Sequence, residues 1–124
     1  MRVLRLAWLG LPTAEYAAMV DFFENVFGMT VEFRTATSTE LSTESDDRVQ
    51  VFGPSDPYYE RFRRNAFGPV ALFEVDDVHN ASRELEGAGV QLLGPLQSDE
   101  QWIWVDVRAP DGSVYELASR RVSD

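Results

Sequence analysis

The sequence predicts an α+β fold built from two tandem βαβββ modules. Two observations predict it. Apolar periodicity runs strand-like, then helical, then strand-like, and does so twice, in the order β-α-β-β-β and again β-α-β-β-β. The segment after the first helix, Gly28-Met29-Thr30-Val31, is matched by Gly89-Val90-Gln91-Leu92 after the second. Such self-similarity marks an internal repeat. The 124 residues suffice for one domain with a sizeable core. Module 1 covers about residues 3–53, a linker 54–67, and module 2 about 68–119.

Each element has a local reason. Residues 3–11 alternate, with Leu4, Leu6, Trp8 and Gly10 on one face and Ala7, Leu9 and Leu11 on the other. Pro12-Thr13 breaks the strand, and Thr13 reads as an N-cap. Tyr16, Met19, Val20, Phe23, Val26 and Phe27 recur at helical spacing, and Gly28 closes the helix. Met29–Arg34 is a strand. Residues 35–47 are polar and acidic, read as a solvated hairpin with some edge strand. Arg48–Phe52 places Val49 and Val51 opposite Gln50 and Phe52. Gly53–Pro57 is linker, and Tyr58–Arg64 a short helix.

In the second module, Val70–Val75 is a strand and Asp76-Asp77 caps a helix over Val78–Gly87. Val90–Leu93 is read as a strand, Gly94-Pro95 as a turn and Leu96 as the start of a connection. Gln101–Val107 sets Trp102, Trp104 and Asp106 against Ile103, Val105 and Val107. Pro110 and Gly112 make a tight turn within 109–112. In the last strand Val114, Glu116 and Ala118 share a face whose one carboxylate is Glu116. Arg120–Asp124 is a polar tail.

Composition narrows the function. The formal charge of −10 argues against nucleic acid and anionic membranes as partners. There is no cysteine, hence no disulfide or thiolate chemistry. All eleven basic residues are Arg, which removes a Schiff-base lysine. The single His, His79, falls at a helix start and reads as a solvated first-turn residue. No apolar run approaches a membrane span and Met1–Arg5 lacks a signal-peptide core, so a cytoplasmic location is expected.

Four stretches carry a family resemblance. They are Asp21–Met29 after the Pro12-Thr13 break, Phe73–Val78, Glu86–Val90, and Ala109–Leu117, with Ala109 and Ser113 as departures in the last. With these the chain resembles the vicinal oxygen chelate superfamily, that of glyoxalase I, bleomycin-resistance proteins and extradiol dioxygenases. The resemblance implies a curled mixed sheet around a cavity with helices outside, and a homodimer. In metal-dependent members a divalent ion is held from the first and last strands of each module. Carried over, those positions fall on Trp8, Gln50, Val70 and Glu116. Indole only donates and valine has no lone pair, so no metal ligand is assigned and no cofactor is expected, a divalent metal being the alternative.

By alternation the cavity set is Leu6, Trp8, Gly10, Gln50, Phe52, Val70, Leu72, Glu74, Trp102, Trp104 and Glu116. An aromatic lining with a few polar groups suits a small-molecule ligand. The first reading is a metal-free binding protein of the bleomycin-resistance type. It would sequester a hydrophobic or cationic ligand, such as an antibiotic, with Glu116 as counter-charge. The alternative is an enzyme, a lyase, isomerase or dioxygenase, with an altered metal site or with Glu116 as general base. Burial among apolar groups favours the proton-bearing form of a carboxylate, which suits that role. A third reading is a structural or partner-binding module with no ligand, its aromatic residues merely filling space.

Overall fold

The structure, a computed structural model, describes residues 1–65, 68–110 and 112–122. It has the expected α+β order, with eight strands and three α-helices among the described residues. These are β1 (Val3–Pro12), α1 (Tyr16–Asp21), β2 (Thr30–Arg34), β3 (Ser38–Ser42), β4 (Arg48–Phe52), α2 (Tyr59–Arg63), β5 (Val70–Val75), α3 (Val78–Gly87), β6 (Gln97–Ser98), β7 (Trp102–Arg108) and β8 (Val114–Arg120). The chain divides into two compact units. The first is Trp8–Val70; the second joins Met1–Ala7 to residues 71–124.

In the first unit the strand order is β2-β3-β4-β1, with β1 parallel to β4 and the other pairs antiparallel. Leu41 and Val51, both fully buried, pack with Val20 against Tyr16, Met19 and Phe23 of the helical segment. Here three expectations are corrected. Residues 38–42 form β3, an interior strand between β2 and β4, with part of the run buried. Its polar composition hides an alternation: Thr39 and Leu41 face the core while Ser38, Glu40 and Ser42 face the other way. The helix also changes character after Asp21, continuing as a π-helical turn over Phe22–Val26 with Phe27 N–H bonded to Phe22 C=O at 3.0 Å. The added residue rotates everything beyond it. Val26 and Phe27, assigned to the apolar stripe, are therefore 67% and 61% exposed. Nor does Thr13 cap the helix: its Oγ1 accepts from Glu15 N–H in a local turn, and Glu15 holds the N-cap position.

The second unit carries the order β5-β8-β7-β6, with β5 and β8 parallel. Its core joins Val75, Val105, Val107 and Leu117 of the sheet to Val78 and Ala81 of α3. Asp77 caps α3 by accepting from His79 N–H at 2.9 Å and Asn80 N–H at 3.2 Å. His79 is exposed in that first turn. The strand expected at 90–93 is reduced to one bridge, Leu92 to Val107. The paired segment is β6, five residues later, beside Trp104 and Ile103. Gly94, at φ 113°, turns the chain between them and stops the earlier run from pairing further. Arg120, assigned to the tail, ends β8. Ala66 and Phe67 of the linker, Asp111 of the tight turn, and Ser123 and Asp124 of the tail lie outside the described residues.

Candidate functional site

Each unit presents a polar sheet face opposite its core. In the first, register places Glu40 beside Gln50, Ser42 beside Arg48 and Ser38 beside Phe52, while β1 sets Trp8 against Arg48 and Gly10 against Gln50. Trp8 Nε1 donates to Gln50 Oε1 at 3.2 Å, and Gln50 Nε2 donates to Ser38 Oγ at 3.3 Å. The Trp8 ring folds back over Gly10, where an added Cβ would lie 2.5 Å from its Cη2. Only glycine leaves that room. The ring meets Phe52 and Phe62 edge-on, with centroids 6.0 Å away in each case.

Charge on this face gathers around Arg48. Its Nε donates to Asp46 Oδ1 at 2.9 Å, while Nη1 and Nη2 stand 3.6 Å from Glu40 and 4.0 Å from Glu32. Ser42 Oγ donates to Glu32 at 2.6 Å. Burial pushes the Glu40 carboxyl above the usual carboxylate range; Arg48 opposes this, and Glu32 and Asp46 add to it.

In the second unit, Leu72 and Asp106 flank Glu116 in register, Glu74 and Trp104 flank Ala118, and Trp102 lies opposite Arg120. Asp106 and Glu116 are 1% and 4% exposed. Glu74 takes Arg5 Nε at 2.9 Å and Arg120 Nε at 3.8 Å. The Arg120 guanidinium also lies 4.5 Å above the Trp102 ring, so this face holds an internal cation between an indole and a carboxylate. The turn that delivers Glu116 is closed by Ala109 N–H to Ser113 C=O at 2.8 Å and Gly112 N–H to Ala109 C=O at 2.9 Å, with Gly112 at φ 90°.

Of the residues singled out in the sequence, the structure gathers Trp8, Gly10, Gln50 and Phe52 on the first unit's face, and Leu72, Glu74, Trp102, Trp104 and Glu116 on the second's. Val70 is fully buried, and Leu6 is exposed. Sequence reasoning missed Glu40 and Arg48. The signal was present: a five-residue connection, 43–47, separates β3 from β4, and 109–113 separates β7 from β8. That spacing makes Gln50 the counterpart of Glu116 and Glu40 the counterpart of Asp106.

The family's divalent ion does not fit these residues. At the carried-over positions of the first unit, Trp8 offers a donor, Val70 offers nothing, and the amide oxygen of Gln50 is engaged by the indole. Among the described residues no three His, Asp or Glu side chains form a group suited to a metal ion, and no helix is long and apolar enough to cross a membrane.

Residues 5–117 match the family model described as Glyoxalase/Bleomycin resistance protein/Dioxygenase superfamily. Among solved structures, a methylmalonyl-CoA epimerase from Mycobacterium tuberculosis is similar with a TM-score of 0.76 and 18% identity, over 97% of this chain and 90% of that one. A Streptomyces coelicolor methylmalonyl-CoA epimerase variant in complex with 2-nitronate-propionyl-CoA gives 0.74 and 16%, over 98% and 100%. A glyoxalase/bleomycin resistance protein/dioxygenase superfamily member from Vibrio splendidus 12B01 gives 0.71 and 18%, over 95% and 99%. At such identities the likeness is one of fold. No curated protein matches the chain.

Proposed function

Because the chain belongs to the glyoxalase/bleomycin resistance protein/dioxygenase superfamily, we propose that it is an enzyme of the proton-transfer kind, a lyase or isomerase, whose base is a glutamate on one unit's polar face, Glu40 on the first or Glu116 on the second. One observation carries the reading. Glu40 is a carboxylate on a polar face, opposite Gln50, whose proton affinity is raised by burial. A carboxylate tuned upward holds a proton more readily than a solvated one, which suits a group that both takes and returns it. Glu116 is the second unit's candidate, a carboxylate buried on its own face and delivered by a tight turn. The substrate class is a small carbon acid. Its C–H bond beside a carbonyl breaks, the electron pair moves onto the carbonyl oxygen, and a glutamate oxygen receives the proton. The epimerases of similar fold are named for a reaction at one carbon of an acyl thioester, which makes acyl thioesters the first substrates to try.

The test is deuterium uptake in D2O, followed by NMR, across acyl thioesters, 2-oxo acids and hemithioacetals. Glu40→Gln or Glu116→Gln, whichever removes the base, should slow exchange by at least about 100-fold while the circular dichroism stays native. Exchange unchanged in both variants, or absent for every compound, would remove the reading.

A second reading, capture of a hydrophobic or cationic small molecule without turnover, is favoured by the aromatic residues on both faces and by the Arg120 cation stacked on Trp102. Thermal-shift screening with planar cationic compounds and bleomycin-type antibiotics addresses it. A saturable shift with no deuterium uptake would select it. Either reading includes a cytoplasmic homodimer.

A further inference from the structure

We propose that Trp8 is the residue that closes the first unit's polar face to divalent ions. Its indole N–H sits against the Gln50 amide oxygen, the neutral donor that a metal would otherwise use. The proposal stands whether or not the chain turns over a substrate.

Three features build the closure. The first is direction. Gln50 Oε1 points to the indole and its Nε2 to Ser38 Oγ, so both ends of the amide are engaged and the oxygen is held where the N–H already is. The second is packing. The Trp8 ring lies over Gly10 and against Phe52 and Phe62, so it cannot turn aside without repacking that aromatic cluster. The third is charge. The Glu40 carboxylate, in register with Gln50, has Arg48 as its nearby cation at 3.6 Å. This carboxylate, like the amide, therefore already has a protein partner that an ion would have to displace. Hard divalent ions need several oxygen or imidazole donors, and indole supplies none. Replacing Trp8 by histidine would put an imidazole beside the Gln50 oxygen and would free that oxygen at the same time.

The experiment is titration of the full chain with Mn²⁺ and with Ni²⁺, followed by calorimetry. Wild type should show no saturable binding. Trp8→His should bind Ni²⁺ at least about tenfold more tightly than wild type, and adding Gln50→Ala should remove the gain. Wild-type binding that Gln50→Ala abolishes would overturn the proposal, and so would a folded Trp8→His protein that gains nothing. Should Trp8→His fail to fold, Gln50→Ala in the otherwise wild-type chain removes only the acceptor. Hydrogen exchange at the Trp8 indole N–H should then rise at least about tenfold, since a bonded group exchanges only on opening. Unchanged exchange would overturn the proposal.

Discussion

Glu40 ties function to stability at the scale of one residue. Its carboxyl is pushed up by burial, so the folded chain binds that proton more tightly than the unfolded chain. The sign follows from linkage. The stabilisation is fully present below the unfolded carboxyl value and is lost as pH rises through the raised folded one. Above that raised value the fold therefore carries an ionised, half-buried carboxylate at a cost. Glu40→Gln, uncharged throughout, should raise Tm by about 2–4 °C at pH 8 and by progressively less toward pH 4. Calorimetry across that range checks it; a gain independent of pH, or a loss at pH 8, contradicts it. Where Glu40 is the base, the same substitution is expected to stop proton transfer, a trade common at functional groups. Glu40 was hidden in the sequence by its neighbours: among Ser, Thr and Asp it reads as one more solvated acid.

At the scale of elements, β3 and the helical segment show where periodicity succeeds and where it fails. Strand and helix types were legible for β1, β4, β5, β7, β8 and α3, because their apolar residues repeat at two or at three and four. β3 has one large apolar side chain, Leu41, in five residues. Its place in the interior of the sheet is decided by pairing to β2 and β4, which satisfies its backbone on both sides. Leu41→Ala should accordingly cost about 2–5 kcal/mol, as for a core leucine and not a surface hairpin. Urea unfolding measures it; a loss below about 0.5 kcal/mol would return the segment to the surface. The π turn is a failure of another kind. The apolar spacing of residues 16–27 fits a regular α-helix, and only the backbone shows the inserted residue that turns Val26 and Phe27 outward.

Across the whole molecule the duplication is tightest in the last two strands of each module, where it holds position by position. Equal connections align 38, 40, 42, 48, 50 and 52 with 104, 106, 108, 114, 116 and 118, so each unit faces a carboxylate across its last two strands from Gln50 or Glu116. The paired positions have diverged, with Ser38 answering Trp104 and Arg48 answering Val114. Each unit also exposes apolar side chains: Val3, Leu4 and Leu6 in the second, Phe22, Val26, Phe27 and Phe33 in the first. For the proposed homodimer, light scattering should give about twice the 14.0 kDa chain mass. A monomer mass at micromolar concentration would exclude it. The charge of −10 should keep such a dimer from larger association.

The sequence by itself determined the α+β class, the repeated βαβββ order, the family resemblance and the turn that delivers Glu116. All of these follow from local periodicity, turn chemistry and self-similarity, which need no partner across the chain. Only the tertiary structure decided that β3 is interior, that Trp8 holds the Gln50 oxygen, that Arg48 gathers three carboxylates and that Arg120 covers Trp102. Those depend on register between strands distant in sequence. A shift of one residue would send each of these side chains to the opposite face.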